Sequence, residues 1–317
     1  MKRIRRLVIV GGGTAGWIAA SWFARRWGKI FEVVVIDKSE PERVGVGEAT
    51  LLSFPNVMKQ MGYKPTDWIK EIDATLKSGI LFPGWGIEDQ TIWHPFSFTS
   101  VGNSKTPLYD MWSSFQDEYD IKKISPMYVS SMANRIETEY THDSYAFQID
   151  CGKLVKFLQK NTIPYLKEYI QSDVVDIIRD GQADDITSSN IKHLVLDDGS
   201  KITGDLFVDC TGWKQMLIGK RNVDCSDRLY INAALAARVD YKDPKEMHPY
   251  TACPAQEHGW IWKIPTRYRI GTGYCFNQDI NDPEEVAQAF SDHWDGRIKP
   301  EDTVSYTHLR AHETASD

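Results

Sequence analysis

The chain opens with a short apolar run that leads directly into a glycine-rich turn. Residues 7–10 (LVIV) are typical of a buried parallel strand, and residues 11–16 (GGGTAG) follow them. Residues 17–27 carry apolar side chains at helical spacing, and a second apolar run over 31–36 ends at Asp37. A strand, a G-x-G-x-x-G turn, a helix and a strand ending in an acid form the βαβ unit that binds dinucleotides. This order predicts an α/β fold built on a parallel sheet.

The glycines of this turn have separate roles in such a unit. Gly11 allows the tight turn, Gly13 lets a pyrophosphate approach the backbone, and Gly16 permits close packing of helix on strand. Asp37 lies 21 positions beyond Gly16, where it can bond ribose hydroxyls. The predicted cofactor contacts in this unit are Gly11, Gly13, Thr14, Ala15, Gly16, Asp37 and Lys38.

Two later segments also combine glycine with an acid. Residues 44–50 (VGVGEAT) fit a backbone strap that lies against a flat ring. Residues 205–212 (DLFVDCTG) have the pattern expected of a buried strand, and the acid at its end can hold a second ribose or ribityl hydroxyl. An ordinary exit from a strand into a turn is the alternative for this second segment. Further predicted cofactor contacts are Gly47, Glu48, Ala49, Thr50, Val174, Asp209 and Gly212.

Charge and cysteine content narrow the class of protein. The 317 residues include 37 basic and 44 acidic side chains, and a net charge of −7 argues against nucleic acid as the main partner. The five cysteines contain no C-x-x-C pair, which fits a reducing compartment. His248, Cys253 and His258 have no zinc-site spacing, so we expect no metal. No stretch reaches about 18 apolar residues, so we expect a soluble, cytoplasmic protein without a membrane span.

Several other elements follow from local patterns. Residues 66–79 place Ile69, Ile72 and Leu76 on one face, which predicts a helix capped by Thr66. In that helix Lys77 would lie one turn after Asp73, and a surface ion pair between them is the simplest interpretation. A second helix, interrupted near a proline, is predicted over 153–170. Three strands are predicted over 174–178, 191–196 and 201–210, and a hairpin turn at 197–200 joins the last two.

Residues 259–265 (GWIWKIP) carry two tryptophans at alternate positions. In a strand Trp260, Trp262 and Ile264 share one face, because successive side chains point to opposite sides. An aromatic-rich core strand that ends at Pro265 is the simplest interpretation of this segment alone.

Four motifs together resemble the flavin-dependent halogenases of the tryptophan-halogenase type. They are GGGTAGW (11–17), VGVGEAT (44–50), DLFVDCTG (205–212) and GWIWKIP (259–265). The first and third are shared with flavin monooxygenases generally, whereas W-x-W-x-I-P is specific to the halogenases. The resemblance, which runs from residue 6 to about 295, implies a mixed α/β fold. A Rossmann-like FAD-binding domain of flavin monooxygenase type (about 5–55 and 150–220) is fused with substrate-side segments (about 60–148 and 221–298).

The resemblance also implies a reaction. Reduced FAD from a separate flavin reductase reacts with O2 and a halide ion to give hypohalous acid. The acid travels through a tunnel to a lysine beside a small indole- or tryptophan-like aromatic substrate. This lysine falls on Lys77, and the side chains that flank the substrate fall on His94 and Phe96. A core histidine is the alternative for His94. The barrier near the flavin corresponds to Trp260, Trp262, Ile264 and Pro265.

Some parts of the family have no match in this chain. These are a glutamate facing the lysine, the halide-binding backbone and the last strand of the FAD domain. We interpret residues 1–298 as a halogenase-like domain lacking its C-terminal part, and 299–317 as a segment foreign to the family. An aromatic hydroxylase of flavin monooxygenase type and a non-catalytic flavin-binding fragment are the alternative functions. The oligomeric state is left open, with a homodimer as one option.

Overall fold

The computed structural model describes residues 4–38, 48–85, 91–96, 145–180, 189–218 and 228–307. Five α-helices lie in these ranges: α1 Thr14–Trp27, α2 Phe54–Gln60, α3 Pro65–Trp68, α4 Cys151–Thr162 and α5 Pro283–His293. The strands are β1 Arg6–Val10, β2 Glu32–Ile36, β3 Glu48–Ala49, β4 Thr75–Lys77, β5 Gly79–Pro83, β6 Thr91–Pro95, β7 Ala146–Ile149, β8 Glu168–Ile170, β9 Val174–Asp180, β10 Asn190–Leu196, β11 Lys201–Ile202, β12 Leu206–Asp209, β13 Ala233–Asp240, β14 Thr251–Ala252, β15 Ala255–Gln256, β16 Gly259–Pro265, β17 Arg269–Phe276 and β18 Val304–Thr307.

The predicted parallel sheet is present, with strand order β12-β1-β2-β8. Its central strands are apolar on both sides because both faces are covered. Helices α1 and α4 pack on one face, where Leu7 and Ile9 lie in a core with Trp17. The three-stranded antiparallel sheet β11-β10-β9 covers the other face through Val8 and Leu194. The fold class inferred from the first forty residues is therefore confirmed.

A larger sheet forms the second body of the fold. Its strand order is β18-β13-β17-β16-β14-β5-β6, with β15 also pairing with β16. Helix α5 packs on one face, where Phe290 contacts a core that includes Ile261 and Tyr274. The W-x-W segment is strand β16, and Trp260 and Trp262 point away from that helix, since they alternate with Ile261.

A small sheet, β3-β7-β4, joins these two bodies. Strand β7 is central and buried along its whole length. It pairs antiparallel with β3, which carries two of the predicted cofactor contacts, and with β4, in which Lys77 stands opposite Ala146.

The helix predicted over 66–79 is wrong beyond its first turn. Helix α3 ends at Trp68, Asp73 has a left-handed φ of 51°, and the chain then enters β4. A left-handed residue cannot continue an α-helix, and pairing with β7 satisfies the backbone of β4. Lys77 therefore lies on a strand, and the buried carboxylate of Asp73 pairs with Lys153 instead.

Two further element boundaries differ from the sequence expectations. Residues 153–170 divide into α4, a short 3₁₀ turn at Pro164 and the strand β8, which pairs with β2. Residues 201–210 divide into β11 and β12, with Gly204 between them. A Cβ atom at Gly204 would lie 2.8 Å from Val8 Cγ2, so the chain crosses the parallel sheet closely at this point. The hairpin turn before β11 is confirmed, with Gly199 at a φ of 82°.

The segment interpreted as foreign to the family begins inside the described part of the chain. Its residues Val304–Thr307 form β18, which pairs antiparallel with β13 at the edge of the large sheet. Residues 308–317 lie outside the described ranges. Among the helices that the structure describes, none is long and apolar enough to cross a membrane.

Candidate active site

The glycine turn between β1 and α1 is closely packed except at one position. A Cβ atom on Gly11 would lie 2.1 Å from the Cys210 carbonyl oxygen, and one on Gly16 would lie 1.8 Å from the Gly11 carbonyl oxygen. A Cβ atom on Gly13 would meet no atom within 4 Å. Gly13 is also the N-cap of α1, so open space lies beside backbone N–H groups that have no partner within the helix. This arrangement fits the pyrophosphate of a dinucleotide.

Asp37 and Lys38 follow β2 at the same end of the sheet. The Asp37 amide donates to the Ile170 carbonyl oxygen at 3.0 Å, and its carboxylate lies against the Cα atom of Gly12. The exposed Lys38 ammonium pairs with Asp173, and this hydrogen bond raises the pKa of Lys38. Thr14 and Ala15 are in the first turn of α1. Val174 is the first residue of β9 and is buried in the core between the parallel sheet and the sheet β11-β10-β9.

Strand β3 brings the other predicted cofactor residues to the N-terminus of α4. The Glu48 carboxylate accepts a hydrogen bond from the Cys151 amide at 3.1 Å. Burial raises the pKa of Glu48, and the bond from Cys151 offsets only part of that effect. Ala49 stands opposite Gln148, and Thr50 Oγ1 accepts from the Phe147 amide at 2.9 Å. Gly47 lies outside the described residues.

Asp209 holds the turn that follows β12. One carboxylate oxygen accepts from the Thr211 amide at 3.0 Å and hydroxyl at 2.6 Å. The other accepts from the amides of Leu217 and Ile218 at 2.7 and 2.9 Å. Burial acts to raise the pKa of Asp209, but these hydrogen bonds outweigh it and the pKa is lowered. The carboxylate thus shapes the loop around Gly212, whose φ of 61° favours glycine.

Lys77 lies in a buried, largely apolar environment. It is 6% exposed, and burial lowers the pKa of its ammonium, although the nearby Cys253 thiol acts in the opposite direction. Its Nζ atom lies 5.2 Å from the centroid of the Phe96 ring. The surface ion pair with Asp73 that its sequence spacing suggested is not formed, since Asp73 pairs with Lys153. A buried lysine of this kind can reach the neutral form more easily than a surface lysine.

Phe96 lies beside Lys77, and His94 lies beside Phe96. The Phe96 amide donates to the Ser78 carbonyl oxygen at 2.9 Å, which fixes β6 next to the residue that follows Lys77. The rings of His94 and Phe96 are 6.1 Å apart at 80°. His94 is exposed, so the alternative of a core histidine is wrong.

The two tryptophans of β16 lie over its neighbour β17. Trp260 stands opposite Cys275, and Trp262 stands opposite Gly273, with the two indole rings 6.2 Å apart. A Cβ atom on Gly273 would lie 2.1 Å from the Trp262 ring, so this glycine provides the space for the indole. Ile264 and Pro265 end the strand, and both are buried.

The end of this strand is joined to the strand that carries Lys77. The Pro265 carbonyl oxygen accepts from Thr75 Oγ1 at 2.5 Å and from Gln148 Nε2 at 3.2 Å. Gln148 is completely buried at the centre of β7. The one sequence signal for this residue is a glutamine within the apolar run AFQI.

Two further observations concern potential metal ligands and the cysteines. Among the described residues, no three His, Cys, Asp or Glu side chains converge in a way that could hold a metal ion. The cysteines that the structure describes are free thiols, namely Cys151, Cys210, Cys253 and Cys275.

Comparison with known proteins identifies a single family. The family model described as tryptophan halogenase matches residues 6–314, and so extends into the segment 299–317 interpreted as foreign to the family. Tryptophan 6-halogenase ThaL of Streptomyces albogriseolus is 30% identical over 98% of this chain and 62% of its own length. The 7-chloro-L-tryptophan 6-halogenase KtzR of Kutzneria sp. is 31% identical over 88% of this chain and 59% of its own length.

Solved structures give the same result for the fold. A flavin-dependent halogenase from Xanthomonas campestris superposes with a TM-score of 0.85 at 27% identity, over 97% of this chain and 62% of that one. The tryptophan 6-halogenase SttH from Streptomyces toxytricini gives a TM-score of 0.80 at 27% identity, over 98% and 64%. The chain therefore spans about three fifths of the length of these relatives.

Proposed function

Because the chain belongs to the tryptophan halogenase family, we propose that it carries out the FAD-dependent halogenation of an electron-rich aromatic substrate, with Lys77 as the catalytic residue. The observation that carries this proposal is the burial of the Lys77 ammonium against the Phe96 ring, on a strand tied to the end of the W-x-W-x-I-P strand. An ordinary surface lysine would have neither feature.

The cofactor proposed for this site is FAD. The open space at Gly13 and the first turn of α1 would hold its pyrophosphate, and Asp37 would bond the adenosine ribose. Reduced FAD, when bound, would supply hypohalous acid from O2 and a halide ion. A separate flavin reductase is the proposed source of the reduced cofactor.

Lys77 can act on hypohalous acid in two ways. As an ammonium it would donate a hydrogen bond to the oxygen of the acid and polarise the bond to the halogen. As a neutral amine it would take the halogen, so that an N–halogen bond forms and the O–halogen bond breaks. The amine would then lose one proton to the departing hydroxide, which leaves as water. The lowered pKa of Lys77, caused by burial, favours the neutral form at a given pH.

His94 and Phe96 would orient the substrate beside this lysine. Their rings are nearly perpendicular, and a flat indole-like ring can pack against the face of one and the edge of the other. Trp260 and Trp262 would keep that substrate away from the flavin, so the substrate meets the halogen only at Lys77.

The direct test combines the protein with a flavin reductase, FAD, NADH, bromide and either indole or tryptophan. The expected product carries one bromine, recognised by its isotope doublet in the mass spectrum, and disappears when bromide is omitted. A gain of one oxygen would instead indicate an aromatic hydroxylase. If no product forms but FAD raises the thermal midpoint, the chain is a flavin-binding fragment, because a ligand that binds the native state must raise that midpoint.

The Lys77→Ala variant tests the role of the lysine in the same assay. The proposal predicts that bromination is lost while the oxidation of reduced flavin by O2 continues. Unchanged bromination would remove Lys77 from this role.

A further inference from the structure

Gln148 lies at the junction of four segments that converge beside Lys77. Its Nε2 atom is within hydrogen-bonding distance of Thr75 Oγ1 at 3.2 Å and of three carbonyl oxygens: those of Leu76 at 3.4 Å, His248 at 3.3 Å and Pro265 at 3.2 Å. Its Oε1 atom accepts from the Thr251 hydroxyl at 3.2 Å. The side chain is completely buried, so these contacts are made without competition from solvent.

These contacts fix the peptide just before Lys77. Leu76 supplies the carbonyl oxygen of that peptide, and Thr75 is the first residue of the same strand. Thr75 and Lys77 lie on one face of β4, and Gln148 stands opposite Thr75 in the pairing of β4 with β7. The glutamine therefore contacts the lysine strand on the face from which the lysine side chain projects.

The residue after Lys77 is held by the same neighbouring segment. The Ser78 amide and the Ser78 hydroxyl both donate to the Pro249 carbonyl oxygen, each at 2.8 Å. His248, which accepts from Gln148, directly precedes Pro249. Both neighbours of Lys77 are thus connected to residues 248–249. Ser78 bonds to Pro249 directly, whereas Leu76 is connected to His248 through the Gln148 side chain.

The contact with Pro265 connects these hydrogen bonds around Lys77 to the tryptophan strand. Thr75 and Gln148 both donate to the last carbonyl of β16. One buried amide and one hydroxyl therefore link the end of the tryptophan strand directly to the strand that carries Lys77. Because a buried amide with several acceptors has little freedom to move, the link is rigid.

We propose that Gln148 is a positioning residue that holds the Lys77 strand in register with the end of the tryptophan strand. Its function is to keep the lysine at the point where hypohalous acid arrives. This inference rests on the proposed function, and it concerns a residue that contacts neither the substrate nor the reacting atoms.

The test uses the Gln148→Met variant, which keeps most of the side-chain volume and removes the amide. The matched control is Gln159→Met, because Gln159 is a part-buried glutamine on α4 whose Nε2 donates to the Tyr169 hydroxyl at 3.0 Å, away from Lys77. The first measurement is the rate of reductive methylation of Lys77, followed by mass spectrometry in the absence of flavin. Lys263 is the internal reference, since burial also lowers its pKa and it projects from the other face of β16.

We expect Gln148→Met to change the methylation rate of Lys77 at least threefold and to leave that of Lys263 unchanged, while Gln159→Met changes neither. Parallel changes at both lysines would mean general loosening of the fold and would overturn the inference, as would an unchanged Lys77. If the variant does not fold, Thr251→Val is used, because it removes only the hydroxyl that orients the Gln148 amide. The same specific effect on Lys77, smaller in size, is expected.

The second measurement is the partition of hypobromous acid. In Gln148→Met, flavin oxidation is expected to continue within about twofold, brominated indole to fall at least tenfold, and hypobromous acid caught by a soluble trap to rise. A parallel fall of flavin oxidation and bromination would contradict a positioning role. If the unsubstituted protein brominates nothing, the proposed function fails, and the methylation rates still decide the role of Gln148.

Discussion

The ammonium nitrogen of Lys77 lies 5.2 Å from the centroid of the Phe96 ring, and Lys77 shares its face of β4 with Thr75. The residues come from strands that pair with different neighbours, and Ser78 brings them together through its carbonyl bond to the Phe96 amide. A ring at this distance stabilises the charged form of the lysine, whereas burial favours the neutral form. Burial and the Phe96 ring therefore act in opposite directions on the protonation of Lys77.

Replacing Phe96 by leucine should shift that balance toward the neutral amine. A cation–π contact contributes about 0.5–2 kcal/mol, so the neutral fraction of Lys77 at neutral pH should rise by a factor of about 2 to 30. Reductive methylation of Lys77 should accelerate by the same factor. Lys263, whose ammonium lies over Trp294, provides the reference and should keep its rate. A slower reaction at Lys77 would contradict a stabilising ring contact.

Replacing Lys77 by methionine should stabilise the fold at neutral pH. Because the folded state has the lower pKa, the unfolded chain binds more protons at every pH between that value and about 10.4, and the stability of the unsubstituted protein rises with pH across this window. The thermal midpoint of Lys77→Met should exceed that of the parent by about 2 °C or more at pH 7, the shift that about 1 kcal/mol produces. The gain should shrink as pH approaches 10.

The control is Lys153→Met, in which an exposed lysine loses its pair with the buried carboxylate of Asp73. That variant should be destabilised rather than stabilised. If the thermal midpoint rose in both variants, the effect would come from methionine itself and not from the burial of Lys77.

Two glycines of the fingerprint should respond differently to alanine. Gly13 has an extended conformation and open space at its Cβ position, so Gly13→Ala should leave the thermal midpoint nearly unchanged and weaken FAD binding at least tenfold. Gly16→Ala would place its Cβ 1.8 Å from the Gly11 carbonyl oxygen and should destabilise the protein by about 1–3 kcal/mol. Thermal unfolding with and without FAD measures both quantities. Equal loss of stability in the two variants would contradict the assignment of free space to Gly13.

Asp150 should make the fold sensitive to acid. It caps α4 by accepting from the Lys153 amide at 3.0 Å and pairs with Arg269 at 2.6 Å. Although burial acts to raise the pKa of Asp150, these bonds outweigh it and the pKa is lowered. Its contribution to stability is therefore complete above the unfolded value near 3.9 and is lost as pH falls through the folded value.

The comparison of Asp150→Asn with Asp150→Ala separates the two roles. The asparagine variant keeps a capping side chain and should lose about 1–3 kcal/mol at pH 7, because Arg269 is left unpaired. The alanine variant should lose about 1 kcal/mol more. Urea unfolding at pH 7 and pH 3 should show that the cost of either substitution falls in acid. A cost independent of pH would assign the effect to packing.

Part of the site could be predicted from the sequence because it depends on contiguous residues. The strand, glycine turn, helix and acid over residues 6–37 each follow from local patterns, and the structure forms them in that order. The shared face of Trp260 and Trp262 follows from the two-residue period of a strand. These features can be predicted without knowing which segments pack against them, provided that both faces of the sheet are covered.

The tertiary structure decided the features that involve residues far apart in the chain. Residues 66–79 have a helical pattern, yet pairing with Ala146–Ile149 and the left-handed Asp73 place Lys77 on a strand. Asp209 has the position of a cofactor ligand in sequence, and four hydrogen bonds from residues 211, 217 and 218 define its role in the loop. The role proposed for Gln148 follows from the tertiary structure, which brings Thr75, His248 and Pro265 within hydrogen-bonding distance of its amide. Local periodicity determined which elements form at the glycine fingerprint and at the W-x-W segment. Burial and long-range hydrogen bonding determined where Lys77 lies and which residues hold it there.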